Sequence, residues 1–283
     1  MLLIRPLSIL LALAFSTAQS MAKANELSPA AQSDSARMKR VSTALHEHTG
    51  VLSSDAYGGR APATEGGKLT TAYLEREFRA LGLKPGNGDS FLQAVPVTEL
   101  LTDSSTTLTF TGTNFDARLS YGDQMVVGTQ QQLTSTALKD SPVVFVGYGI
   151  VAPERDWNDY AGIDVRDKTV IILVNDPGYA TQDGELFNGN AMTWYGRWVY
   201  KYEEAARQGA AGALIIHETG AAAYGWNVVE NSWSGPQISL TAQDNNTGKS
   251  EVIGWLSQSS ARALFAGAGL NYDTEVAAAA RPG

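Results

Sequence analysis

Three histidines, a scatter of carboxylates and no cysteine are the material from which any chemistry of this chain must be built. Without Cys there is no thiol nucleophile and no thiolate metal ligand. A hydrolytic two-metal site would need about five His or carboxylate ligands converging, with a position left open for water. His46 and His48 stand two apart, a spacing that turns them to different faces of a helix. They also lack the His-Glu-x-x-His arrangement, whose four-residue step aligns two ligands. A solvated helix end accounts for both. His217 follows the apolar run ending at Ile216 and precedes Glu218, which makes it either a hydrogen-bonded residue at a strand end or a functional one. Asp176 also follows a strand-like run, where α/β proteins place ligands. Its setting, Asn175-Asp176-Pro177-Gly178, is strong turn chemistry, and the turn is the preferred reading. Glu203 and Glu204 are expected on a solvent-facing helix side. Ser53, Ser54 and Asp55 have no Gly-x-Ser-x-Gly elbow around them. Gly147-x-Gly149 lacks the third glycine of a dinucleotide fingerprint, and no phosphate loop is present.

Among charged residues, Arg60 is the best marked, set in a loop with Gly58-Gly59 before it. It reads as a structural residue, through a buried ion pair that fastens the loop, or as a direct substrate contact. The aromatic side chains offer binding rather than catalysis. Trp194, Tyr195, Trp198, Tyr200 and Tyr202 fall on one helical segment, and their spacing sends at least half of them to a core. Trp226 and Trp233 lie in the Gly/Asn/Ser-rich stretch 224–237. There they are either loop packing or a substrate-binding lip. No metal ligand is assigned.

The elements that must position these residues follow from periodicity and punctuation. A polar lead over 25–36 precedes a helix carrying Met38, Val41, Leu45 and Leu52 at helical spacing, with Gly50 near its end. A second helix over 68–81 bears Leu74, Phe78 and Leu81, and Gly82 stops it. Strands are expected over 91–97 and 106–111. From about Ser120 the chain changes to short strands with Gly/Pro punctuation, including 143–146, 169–174 and 213–216. The helix over 194–208, the glycine turn and the strand at 213–216 form an α/β unit in a largely β setting. A last helix is expected over 259–268, followed by an Ala-rich tail.

Composition narrows the setting. Arg5 and the short apolar run 7–15 form an export signal, too short to span a bilayer. Small residues mark a cleavage site at 18–20 or 22–24, placed after Ala24. Removing residues 1–24 takes two cations and no acid from the formal charge of −8, leaving about −10. That balance argues against nucleic acid or an anionic membrane as partner. A secreted or periplasmic, soluble mature chain is expected, large enough to bury a core without disulfides.

The stretch Leu52-Ser53-Ser54-Asp55, then Gly59-Arg60-Ala61-Pro62-Ala63-Thr64-Glu65-Gly66-Gly67, then Leu81-Gly82-Leu83-Lys84-Pro85-Gly86, resembles the opening of the secreted zinc aminopeptidases. These are the leucyl-aminopeptidase and glutamate-carboxypeptidase-like members of metallopeptidase family twenty-eight. The segment 120–270 is similar to the protease-associated (PA) domain often inserted there, through Gly147-Tyr148-Gly149, the turn 164–168 and the unit 203–216. The resemblance implies an α+β to α/β chain in four parts. Residues 1–24 are the signal and 25–119 an incomplete N-terminal piece of an α/β zinc-peptidase domain. Residues 120–270 are a β-rich PA domain with flanking helices, and 271–283 start the return to a catalytic domain. It implies peptides as substrates, two zinc ions in the complete enzyme, and a Glu as general base. The family's zinc ligands follow the insertion and would lie beyond Gly283. The chain is therefore expected to be inactive alone, with its helical part poorly packed and its PA domain compact. The alternative is a non-catalytic PA-type module that binds a peptide or protein.

Overall fold

The computed structural model describes residues 29–113 and 115–281, so the expected export signal and cleavage site lie outside the described residues. The described chain is mixed α and β and divides into two compact units, with the division after Ala94. No described helix is long and apolar enough to cross a membrane.

The first unit is helical. Helix α1, Pro29–Leu52, begins earlier than expected, because most of the supposed lead is helical. Proline costs nothing in a first turn, and Ala and Gln favour the helix. Its spaced apolar residues Met38, Val41 and Leu45 remain exposed. Helix α2, Glu65–Ala80, starts at an N-cap in which Thr64 Oγ1 accepts from the Gly67 amide. The expected start at Lys68 took Gly66-Gly67 for loop. Both glycines instead sit inside the first turn, against the 3-10 segment Asp55–Arg60. A Cβ on Gly66 would stand 1.9 Å from the Tyr57 carbonyl oxygen, and one on Gly67 2.5 Å from that of Ala61. Close backbone approach explains this pair. Tyr73, the one buried large side chain among the described residues of this unit, shares a hydrogen bond of 2.6 Å with His48 Nδ1.

The described residues of the second unit form eleven strands. β1 (Val97–Leu100) pairs antiparallel with β10 (Gln237–Leu240), and β2 (Thr107–Gly112) with β3 (Phe115–Ser120). β4 (Met125–Gly128), β5 (Val143–Phe145), β6 (Val151–Ala152), β7 (Trp157–Asn158) and β8 (Thr169–Leu173) follow, then β9 (Gly212–His217), β10 and β11 (Val252–Ser257). The main sheet has the order β4-β11-β9-β8-β5, with β4 antiparallel to β11 and the other four parallel. Its helices are α3 (Pro177–Thr181), α4 (Trp198–Arg207), α5 (Thr219–Ala222), α6 (Trp226–Trp233), α7 (Gln258–Gly267) and α8 (Tyr272–Ala279).

The unbroken apolar runs of β8 and β9 are buried on both faces, as parallel strands between helices require. Val170, Ile172, Ala213, Ile215, Ile253 and Trp255 pack with Tyr202 and Ala205 of α4 and Val229 of α6. The alternate residues Ile171, Leu173, Leu214, Ile216 and Leu256 join Leu119 of β3, Ala261, Leu264 and Phe265 of α7, and Tyr272 of α8.

Two boundaries differ from the sequence reading. The division falls after Ala94 instead of near Ser120, because β1 pairs with β10 and Leu119 enters the core. The strand expected over 91–97 begins only after Pro96, which has no amide to donate and offers its carbonyl to Thr241. Residues 272–279 form helix α8, and Tyr272 packs edge-on against Phe265 at 5.3 Å.

Candidate functional site

The parallel strands deliver their carboxyl ends to one edge of the sheet. Tyr148 follows β5, Asn175-Asp176 follow β8, Glu218 follows β9, and Gln258 follows β11. Helix α4 runs back along the sheet, so its first turns reach the same edge, and Lys201 projects into it. Lys201 is fully buried, its Nζ donating to the Tyr148 carbonyl at 2.5 Å. Two carboxylates attract it from beyond ion-pair distance. Asp159 accepts from the Ile150 amide at 2.8 Å and from Trp157 Nε1 at 2.9 Å. Asp176 Oδ2 accepts from the Thr193 amide and hydroxyl, at 2.9 and 2.7 Å. Its Oδ1 is buried with no hydrogen-bond partner among the described residues.

Burial dominates the electrostatics here. It pushes the Asp159 carboxyl up to about 6, against the pull of the Ile150 amide, Lys201 and Trp157. It pushes the Lys201 ammonium down to about 7, against the attraction of Asp159 and then Asp176. The Tyr148 hydroxyl is raised by burial and by the charges of Glu218, Asp176 and Asp159. At the neighbouring strand end Glu218 Oε1 accepts from Tyr272 at 2.9 Å and from Gln258 Nε2 at 3.1 Å. The edge is thus a dry polar cluster in which the charges answer one another.

His217 lies within this region but faces elsewhere. Its Nε2 stands 3.1 Å from the Tyr224 carbonyl, which can only accept, so this nitrogen carries the proton. Its ring lies among Tyr224, Trp226 and Trp255. Burial holds it below the usual histidine range and therefore neutral at pH 7. The other histidines are far from it in sequence, in the first unit, with His46 exposed and His48 tied to Tyr73.

Arg60 is exposed. Its Nη1 donates to the Leu52 carbonyl, so it caps the C-terminal end of α1, where a cation suits the helix dipole. Glu204, expected in solvent, is buried and receives Arg207 at 2.8 Å and Gln208 at 2.8 Å, while Glu203 lies beside Arg207 at 3.8 Å.

Trp226 and Trp233 stand at the two ends of α6, not on a loop, and both are half-buried. Trp226 Nε1 donates to the Gly122 carbonyl, and the Trp233 carbonyl accepts from the Tyr121 hydroxyl. The rings pack on His217 and Tyr202. The outward indoles are Trp194 and Trp198, 58% and 42% exposed, with Arg197 exposed between them. The segment expected as one continuous helix is in two parts. A 3-10 turn, Trp194–Gly196, precedes α4, and Gly196 breaks the phase. A Cβ there would lie 2.7 Å from Met192 and 3.1 Å from Asn175. Lys201 and Asp159 were missed altogether. The available signal was the four-residue step from Lys201 to Ala205, a fully buried core alanine.

The residues present do not fit a zinc ion. Among the described residues no three His, Asp or Glu side chains come together. Asp159 and Asp176 face an ammonium group, and His217 is engaged with a carbonyl. At the opposite, amino-terminal edge a shallow depression of about 280 Å³ is lined by Glu203, Arg207, Asp244, Asn246 and Lys249. It is open, mixed in charge and remote from the buried cluster. No known family model, curated protein or solved structure matches the chain.

Proposed function

We propose that this chain is a binding and positioning element, the N-terminal helices and PA-type domain of a secreted or periplasmic zinc-dependent aminopeptidase acting on peptides. In this reading its own residues do not ligate the metal. One observation carries it. An aromatic face made of Trp194, Arg197 and Trp198 stands out of a module whose other polar groups at that edge are locked into one another. Exposed indoles flanking a guanidinium suit an apolar peptide side chain beside a carboxylate. Trp226 and Trp233 act at one remove, holding α6 against the sheet. The exposed apolar residues of α1 and α2, with Leu81 74% exposed, suit helices that cover a neighbouring protein surface.

The test is zinc content and aminopeptidase activity of the purified chain with a chelator control, beside peptide binding by the parent and by Trp194→Ala/Trp198→Ala. The reading requires no chelator-sensitive turnover, measurable binding, and loss of most of that binding in the double variant. Chelator-sensitive cleavage with bound zinc would sink it. Binding untouched by the double substitution would favour a PA-type module that uses another face.

A further inference from the structure

The connection from β8 to α4 leaves the Lys201 cluster at Asp176 and returns to it at the helix that carries Lys201, in a conformation that works against itself. Gln182, Phe187 and Asn188 all have left-handed backbone, with φ of 56°, 47° and 61°. Asparagine tolerates that region, but a bulky aromatic residue is held there only by its surroundings. Phe187 is fully buried, with Trp157 at 5.5 Å and Tyr195 at 5.8 Å edge-on to its ring and the Arg155 guanidinium 4.9 Å above it. Trp157 in turn donates to Asp159, so this plug touches the shell around Lys201. The ends of the connection are tied by Asp176 to Thr193. Two buried polar atoms beside it, Asp176 Oδ1 and Arg155 Nε, have no hydrogen-bond partner among the described residues, and Arg155 Nε has only the Glu154 carboxylate at 3.9 Å. Backbone strain and unmet polar atoms are both relieved by opening to water. The Phe187 plug and the Asp176–Thr193 pair oppose that opening.

We propose that residues 177–192 are a strap that opens as one body by withdrawal of Phe187, unmasking Lys201 with Asp159 and Asp176 as an amine-and-carboxylate site. This device does not depend on the peptidase reading. It makes Lys201 a concealed nucleophile whose access is set by the strap and not by unfolding of the sheet.

Lysine acylation by an activated ester, followed by peptide mass spectrometry and hydrogen exchange on the full chain, tests it. Lys201 should react slowly in the parent, in step with exchange of the strap amides. Phe187→Ala should raise its labelling about tenfold or more, with Lys84, Lys139 and the β9 amides unchanged. Gln182→Gly eases the left-handed backbone while keeping the plug, and should slow labelling about threefold. The idea fails if Lys201 stays as inert in Phe187→Ala as in the parent, or gains reactivity only together with loss of β9 protection. Should Phe187→Ala not fold, Gln182→Gly decides alone, and unchanged or faster labelling there overturns the strap.

Discussion

The two units bury their apolar residues in opposite ways. In the second, β8, β9 and β11 give side chains alternately to two helix-covered layers, and nearly all of them are inaccessible to water. In the first, the apolar residues of α1 and α2 recur at the right spacing and yet stay exposed, while order comes from local devices: the Thr64 cap, the Gly66–Tyr57 approach, the His48–Tyr73 bond and the Arg60 cap. The same helical pattern therefore has two meanings. In α4 it marks a face already covered, and in α1 a face offered. Periodicity reports the amphipathic face, whereas only a neighbouring layer makes it a core.

The contrast can be broken most directly in the sheet. Leu214→Ala should cost about 2–5 kcal/mol, whereas Leu74→Ala in α2 should cost no more than about 0.5 kcal/mol. All six tryptophans lie in the second unit, so denaturant unfolding followed by their fluorescence reads the first variant, and far-UV circular dichroism reads the second. Comparable losses at the two sites would erase the distinction.

The buried ammonium sharpens it next. Lys201→Met leaves Asp159 and Asp176 without a cation and should cost about 3 kcal/mol near neutral pH. The pH dependence has a definite sign. Lys201 is lowered from 10.5 to about 7 on folding, so its contribution is present above 10.5 and is lost as pH falls through about 7. Asp159 is raised from 3.8 to about 6, so its contribution is present below 3.8 and is lost as pH rises through about 6. These two groups together favour folding least between about 6 and 7. Unfolding midpoints of the parent should rise from that window toward pH 9, and the rise should vanish in Lys201→Met. A parallel rise in both would place its origin in other groups.

The smallest effect tests the first unit's reliance on local devices. Thr64→Ala should cost about 1 kcal/mol of α2 stability, seen as faster amide exchange over Glu65–Ala80 with the tryptophan transition unmoved. A shift of that transition would mean that the cap also supports the sheet.

Much of the second unit was legible in the sequence because its strands are continuous apolar runs closed by glycine turns. The runs 143–146, 169–174 and 213–216 all form strands, within a residue or so of their expected ends. What was not legible depended on partners distant in the chain. β1 is defined by β10, some 140 residues away, and nothing local marks it. The site was read less well for the same reason. Lys201, Asp159 and Asp176 come from three separate segments, and a charge is recognisable as internal only when the layer above it is known. Of the five aromatics expected to send at least half to a core, Tyr195, Tyr200 and Tyr202 do so, but which ones face outward depends on Gly196, where the backbone changes from 3-10 to α.

The strand order also sets a timetable. β11, formed by Val252–Ser257, lies between β4 and β9, both of which leave the ribosome earlier. Until its last quarter is synthesised, the second unit has no strand to join these two, and the pairing of β4 with β11 spans well over a hundred residues. Vectorial synthesis therefore yields an open, unjoined sheet for most of its course, and closure comes as one late, non-local step. The position of a single strand thus decides when the sheet of this unit can close.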